Sequence, residues 1–315
     1  MKKISLLMVI CIALTLASCG RAREARKNAD GGTQKITLTQ PADRNYELHL
    51  PRGYQVGKPL PLLVMLHGAG GTGENTLSDY GWAAKADEQN FIVAAPNALP
   101  VKLGQRPSLA SNPQFWGDGS ERGAQARGPI DDTGFISAMI DDVSRRYAID
   151  TKRIYMAGHS NGASMTFHAG APLCQRLAAI APVMGQYWDS VQGSNCRLSM
   201  LFVGGSADPL NPLNGGDSKD PWGTITVKQP MRVSADKWAK QAGCSGANES
   251  SANGLTTIRY NCAQNTEVLF QIINGQGHGW PGVTPRLPQF ILGPSVNTLN
   301  ATNAIWEFFS RHSKQ

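Results

Sequence analysis

The segment RIYMAGHSNGASM, residues 153–165, constrains this chain more than any other. An apolar stretch, 153–158, reads as a strand, and 162–171 reads as a helix. Between them Gly158-His159-Ser160-Asn161-Gly162 gives a single G-x-S-x-G. A strand that turns directly into a helix leaves room only for glycine two residues either side of the serine. The turn lifts the serine hydroxyl above the sheet and aims the next N–H at an oxyanion. The plainer alternative is a tight turn with a structural purpose only.

The rest of the pattern supports a sheet able to carry such a turn. Residues 36–40 and 45–50 alternate and are expected to pair antiparallel. Strands are expected at 61–66, 91–95, 178–183, 199–203 and 267–273. Helices are expected at 76–89, 132–147, 231–241 and 300–312. Asp131 or Asp132 caps the second of these, with Phe135, Met139, Ile140 and Val143 on one face. Residues 98–130 are long, irregular and rich in Gly, Pro and Gln, a length that inside a compact domain is usually functional or disordered. Strands alternating with helices imply an α/β fold, a mostly parallel central sheet with helices on both faces. Function in such a sheet collects at the carboxyl ends of the strands.

A serine becomes a nucleophile only beside a base. In this arrangement the acid comes next along the chain and the histidine last. The loop GSADPLNP after strand 199–203 offers Asp208, and NGQGHGWPG after strand 267–273 offers His278. Asp189, Asp217 and Asp220 are the fallback acids. His49 lies in an early strand and His312 in the tail. His67 precedes a glycine loop, His159 adjoins the serine but points elsewhere on the turn, and His168 lies down the following helix. Asp208 and His278 taken singly would be a turn-former and a surface residue; their order with Ser160 is what singles them out. His278 would take the Ser160 proton, an acyl-enzyme would form, and Asp208 would hold the imidazole tautomer.

The stretch LLVMLHGAGGTGEN, 62–75, admits two readings. Gly68, Gly70 and Gly73 fit G-x-G-x-x-G, a dinucleotide-binding turn. That turn requires an acid at the end of the next strand to hold a ribose, and Ala95-Pro96-Asn97 stands there. The loop is therefore expected to supply an oxyanion donor, Ala69 with Gly68 as the alternative, alongside the N–H of Asn161.

Residues 1–18 read as a lipoprotein signal peptide: Met1-Lys2-Lys3, an apolar run, then Leu16-Ala17-Ser18-Cys19. Cys19 is the expected lipidation site, residues 19–34 a flexible tether, and 35–315 the catalytic domain. An ordinary signal peptide is the alternative. Gly20 favours the outer membrane, since some inner-membrane lipoproteins carry Asp there. The net charge is +7, and residues 1–34 hold four of those charges. The body is close to balanced and lacks a basic stripe interleaved with aromatics, so no nucleic-acid partner is expected. Cys174, Cys196, Cys244 and Cys262 suit two disulfides in an exported chain. The neighbours in sequence, Cys174–Cys196 and Cys244–Cys262, are the favoured pairs, and no CxxC suggests zinc.

GHSNGASMT resembles the nucleophile segment of polyhydroxybutyrate depolymerase-like esterases, a group that includes feruloyl-esterase-type enzymes. DDTGFISAMIDDV, GSADPLNPLNGG, GHGWPG and ATNAIWEFFSRH match the same family, over roughly residues 45–312. The resemblance implies the α/β-hydrolase fold, no metal or organic cofactor, and a secreted or envelope-bound ester hydrolase with Ser160, Asp208 and His278 as its triad. The substrates implied are hydroxyalkanoate, phenolic or acetylated-polysaccharide esters. His159 stands where the family often has an apolar residue. Trp280 and Trp116 are expected to line the substrate mouth, ahead of Trp188 and Trp222. A serine peptidase of the same fold, or a catalytically silent binding lipoprotein, are the competing functions.

Overall fold

The computed structural model describes residues 31–41, 43–120, 130–189, 196–263 and 265–314. The expected signal segment, Cys19 and most of the tether lie outside those residues. β1 (Gly32–Thr37) pairs antiparallel with β2 (Asn45–Leu50), Gly32 facing Leu50. Residues 32–34, read from sequence as tether, thus belong to an edge strand, where backbone partners suffice without an apolar pattern.

The chain continues through β3 (Leu60–Leu66), α1 (Gly73–Ser78), α2 (Trp82–Gln89), β4 (Ile92–Pro96) and a short pair, β5 (Leu99–Pro100) with β6 (Gln114–Phe115). Next come α3 (Asp132–Arg146), β7 (Ile149–His159), α4 (Asn161–Gly170), β8 (Ala179–Val183) and β9 (Ser199–Gly205). A hairpin, β10 (Gly216–Lys219) and β11 (Ile225–Lys228), precedes α5 (Met231–Gln241). The fold closes with β12 (Ser245–Ala252), β13 (Leu255–Asn261), β14 (Val268–Ile273), α6 (Gln289–Leu292) and α7 (Ala301–Ser310).

The main sheet runs β1-β2-β4-β3-β7-β8-β9-β14-β13-β12. It is parallel from β4 to β14 and antiparallel at both ends. β3, β4, β8 and β9 are buried from end to end, and β7 is buried from Ile154 onward, because each serves two cores. In β3, Leu62, Val64 and Leu66 face one core, where Phe135, Met139 and Val143 of α3 and Trp238 of α5 pack. Leu63 and Met65 face the other, with Trp82 of α2 and Ile305, Phe308 and Phe309 of α7. Asp131 caps α3 as expected, its Oδ1 accepting the Gly134 N–H at 2.7 Å.

Two further features differ from expectation. The helix expected at 76–89 is two helices, broken where Gly81 adopts φ 75°. The break frees Tyr80 to turn toward the site. The β12–β13 hairpin was not expected: β12 is exposed almost throughout and carries no apolar alternation. Cys174 is bonded to Cys196, and Cys244 to Cys262.

Candidate active site

Ser160 sits between the end of β7 and the start of α4, with φ 56° and ψ −120°. A non-glycine residue rarely holds such a conformation, and its surroundings must impose it. They do so through close approach. A Cβ on Gly158 would stand 2.2 Å from the Gly162 carbonyl oxygen, and one on Gly162 would stand 2.4 Å from that of His67. The Ser160 N–H is fixed by the Val183 carbonyl at 2.9 Å.

His278 and Asp208 reach the serine from neighbouring strand ends. Ser160 Oγ lies 2.7 Å from His278 Nε2, and His278 Nδ1 lies 2.8 Å from Asp208 Oδ2. A carboxylate accepts only, so Nδ1–H donates to it and Nε2 is left to accept the serine proton. The other carboxylate oxygen, Oδ1, accepts the N–H groups of Leu210 and Asn211, both at 2.8 Å. The pair is dry: the side chains of His278 and Asp208 are 3% and 0% exposed. The fallback acids are engaged elsewhere. Asp189 pairs with His168 at 2.9 Å, Asp217 lies in β10, and Asp220 accepts from Trp222 and Thr224 in its own turn.

The loop after β3 approaches the serine so closely that a Cβ on Gly68 would be 3.3 Å from the Ser160 Cβ. The Gly70 N–H donates to Gln114 and the Gly71 N–H to Gly68. Among the described residues, the N–H groups of Gly68, Ala69 and Asn161 have no acceptor. His67 shapes the loop: its Nδ1–H donates to the Gly68 carbonyl at 2.7 Å, and its Nε2 accepts the Ala98 N–H at 3.0 Å. Burial pushes the His67 pKa down to about 4, so the ring is neutral. The Asn161 side chain ties the nucleophile turn to the long loop, accepting the Trp116 N–H at 2.7 Å and donating to Asp118 at 2.7 Å.

Ser160 and His278 open into a cavity of about 450 Å³ walled by Leu109, Trp222, Lys228 and Leu287. Trp116 is not on this wall. It is buried, and its Nε1–H donates to the His67 carbonyl at 2.8 Å, so it braces the loop from behind. Trp280 touches the cavity but is nearly enclosed, stacked on Tyr80 at 4.5 Å and hydrogen-bonded to Thr302 at 3.0 Å. Trp222 is the indole that stands over the loop. A Cβ on Gly70 would meet it at 3.2 Å, and its Nε1–H holds the Leu109 carbonyl at 2.8 Å.

Sequence reasoning passed over His159. Its Nε2 lies 2.7 Å from the His278 carbonyl oxygen and its Nδ1 lies 3.0 Å from the Tyr80 hydroxyl. Burial, and then the neighbouring His278, push its pKa down to about 3.

The central parallel sheet, the turn at its middle and the loops at its carboxyl end define an α/β-hydrolase. The model of the phospholipase/carboxylesterase family matches residues 55–219, just over half of the 315 residues. The chain belongs to that family, a class of carboxylic-ester hydrolases. It is 28% identical over 241 residues to feruloyl esterase B of Piromyces equi, which covers 75% of this chain and 42% of that protein. It is 25% identical over 278 residues to the probable feruloyl esterase C of Aspergillus terreus, 85% of this chain and 84% of that one. The chain thus spans less than half of the first relative and most of the second. The acetyl xylan esterase from Aspergillus awamori shares its fold, with TM-score 0.58, 17% identity, and 89% of this chain and 99% of that chain covered.

Proposed function

We propose that this protein is an exported serine esterase that cleaves carboxylic esters through an acyl-enzyme on Ser160. The observation that carries this reading is the hydrogen-bonded row Ser160–His278–Asp208 on the wall of an apolar cavity. His278 takes the Ser160 proton as Oγ attacks the ester carbonyl. The oxyanion meets the N–H of Asn161 and that of Ala69, or of Gly68, each such donor worth about 3–4 kcal/mol where one has been removed. His278 then protonates the departing alcohol and later draws a proton from water, which releases the acid. Asp208 holds the imidazole tautomer and stabilises its charged form.

The feruloyl and acetyl xylan esterases among its relatives support phenolic or acetylated polysaccharide esters as substrates. Hydroxyalkanoate esters are the remaining class. The two disulfides support an oxidising compartment. The lipobox-like Leu16-Ala17-Ser18-Cys19 supports an anchor at Cys19, with the outer membrane favoured.

Release of p-nitrophenol from short acyl esters tests the chemistry. Wild type is expected to turn over and Ser160→Ala to lose all but background. An inactive wild type, or a variant that keeps its rate, rejects the reading. Methyl ferulate, acetylated xylan and hydroxybutyrate oligomers then separate the substrate classes.

A further inference from the structure

We propose that His159 is a positioning residue, which holds the backbone of the general base His278 by a hydrogen bond to its carbonyl, and that Tyr80 selects the tautomer that makes this bond. The proposal rests on the esterase reading above.

The need for such a tether is visible in the loop that carries His278. It contains Gly275, Gly277 and Gly279, and Gly275 adopts φ 77°. A base on so pliable a segment keeps its place only if the segment is tied down. The His278 N–H donates to Leu292 at 2.5 Å, and the His278 carbonyl receives His159 Nε2 at 2.7 Å. Both ends of the residue are thereby anchored, and Nδ1 and Nε2 of its ring are engaged by Asp208 and Ser160.

The bond dictates a protonation pattern. A carbonyl oxygen only accepts, so the proton must sit on His159 Nε2. A neutral imidazole then has a bare Nδ1, which must accept, and the Tyr80 hydroxyl at 3.0 Å is its donor. Burial raises the Tyr80 pKa, which keeps that hydroxyl protonated. Tyr80 is itself fixed. Its ring stacks on Trp280 at 4.5 Å, and its carbonyl accepts from Thr302 Oγ1 at 2.6 Å, the same oxygen that accepts the Trp280 N–H. The circuit Tyr80–His159–His278–Trp280 thus closes on itself within the His278 loop.

Neutrality matters as well as geometry. The ring centroids of His159 and His278 are 5.1 Å apart. A charged His159 would oppose the imidazolium that forms on His278 as the serine attacks. Enclosure of His159 prevents this, so the residue orients without competing for the proton.

Three variants test the proposal: His159→Leu, His159→Gln and Tyr80→Phe, each assayed for kcat and KM on p-nitrophenyl acetate. A displacement of about 1 Å at a reacting group costs up to roughly 100-fold in rate. His159→Leu is expected to lower kcat about 10- to 100-fold on that scale with KM within about twofold. His159→Gln, whose amide N–H can reach the same carbonyl, should recover most of the loss. Tyr80→Phe should cost less than His159→Leu, and nothing further in the His159→Gln background. A second readout needs no turnover: the low-field proton resonance of the His278 Nδ1–H bonded to Asp208 should broaden in His159→Leu and sharpen again in His159→Gln. Unchanged kcat and resonance in a folded His159→Leu overturn the proposal, as does a loss that Gln fails to restore. If His159→Leu does not fold, an additive effect of Tyr80→Phe in the His159→Gln background overturns it. A wild type inactive on every ester rejects the esterase reading instead, and the resonance still decides the positioning.

Discussion

Asp208 divides its two oxygens between two tasks. Oδ1 caps the turn at Leu210 and Asn211, and Oδ2 holds His278 Nδ1–H. Asp208→Asn keeps the size of the side chain but must satisfy the same two backbone donors with its one carbonyl oxygen. Its amide N–H then faces His278 Nδ1, which has to accept. The imidazole proton moves to Nε2 and points at Ser160, so the base is lost. A fall in kcat of about 10⁴ is expected from that tautomer change, with the fold intact by circular dichroism; a loss under tenfold would mean that Asp208 does not orient the imidazole. The hydrogen-bonded row Ser160–His278–Asp208 was legible as a candidate in sequence because each residue follows an apolar run and their order is restricted. His159 was not legible as a partner of His278. Adjacency to the serine fixes where its backbone lies, while its side-chain partner comes from a loop more than a hundred residues away. Trp116 misled for a related reason: an indole in a loop can face a cavity or brace the backbone, and only the position of its N–H acceptor separates the two.

At the scale of elements, sequence reading worked where burial wrote a pattern. β3, β4, β8 and β9 are buried on both faces and appear as apolar runs, as does the second half of β7. The β12–β13 hairpin is held by backbone pairing and by its turn, in which Asn253 and Gly254 adopt φ 50° and 77°. An Asn-Gly turn between short segments is a hairpin signal even without apolar alternation. The Cys244–Cys262 bond closes the base of this hairpin, spanning 18 residues. Its loop length corresponds to about 3 kcal/mol of restricted unfolded-chain entropy. Replacing both cysteines with serine should lower the urea-unfolding free energy by about that amount. The hairpin lies at the sheet edge, with β13, β14, β9 and β8 between β12 and β7, the strand that leads into Ser160, so kcat/KM should stay within about twofold of wild type. A stability unchanged by the double substitution would show that the hairpin holds without its clasp.

The two cores meet at the sheet, and two neutral histidines are sealed near its carboxyl end, which links the stability of the whole molecule to pH. His67 and His159 are 1% and 8% exposed. Burial is the leading cause of both depressed values, about 4 for His67 and about 3 for His159 against an ordinary 6.5. Above pH 6.5 neither state of the chain binds the extra protons, and the stabilisation is complete. As the pH falls below that point the unfolded chain takes up a proton at each site and the folded chain does not. Stability then drops by about 1.4 kcal/mol per pH unit for each histidine. The loss from His67 ends near pH 4 and that from His159 near pH 3. His168 runs the other way. Its hydrogen bond to Asp189 raises its pKa, so its contribution is present in acid and fades as the pH rises, but the pair is about one-third exposed and solvent weakens it. The net expectation is acid destabilisation between pH 6.5 and 4, of roughly 4 kcal/mol from the two buried rings by pH 5. Urea unfolding at pH 7, 6, 5 and 4.5 measures the slope, and His159→Leu isolates one ring. The variant is expected to be less stable at pH 7 yet to lose stability more gradually on acidification, its slope smaller by close to one proton. An identical slope in the two proteins would mean that His159 titrates alike in the folded and unfolded chain, and that its enclosure does not keep it neutral.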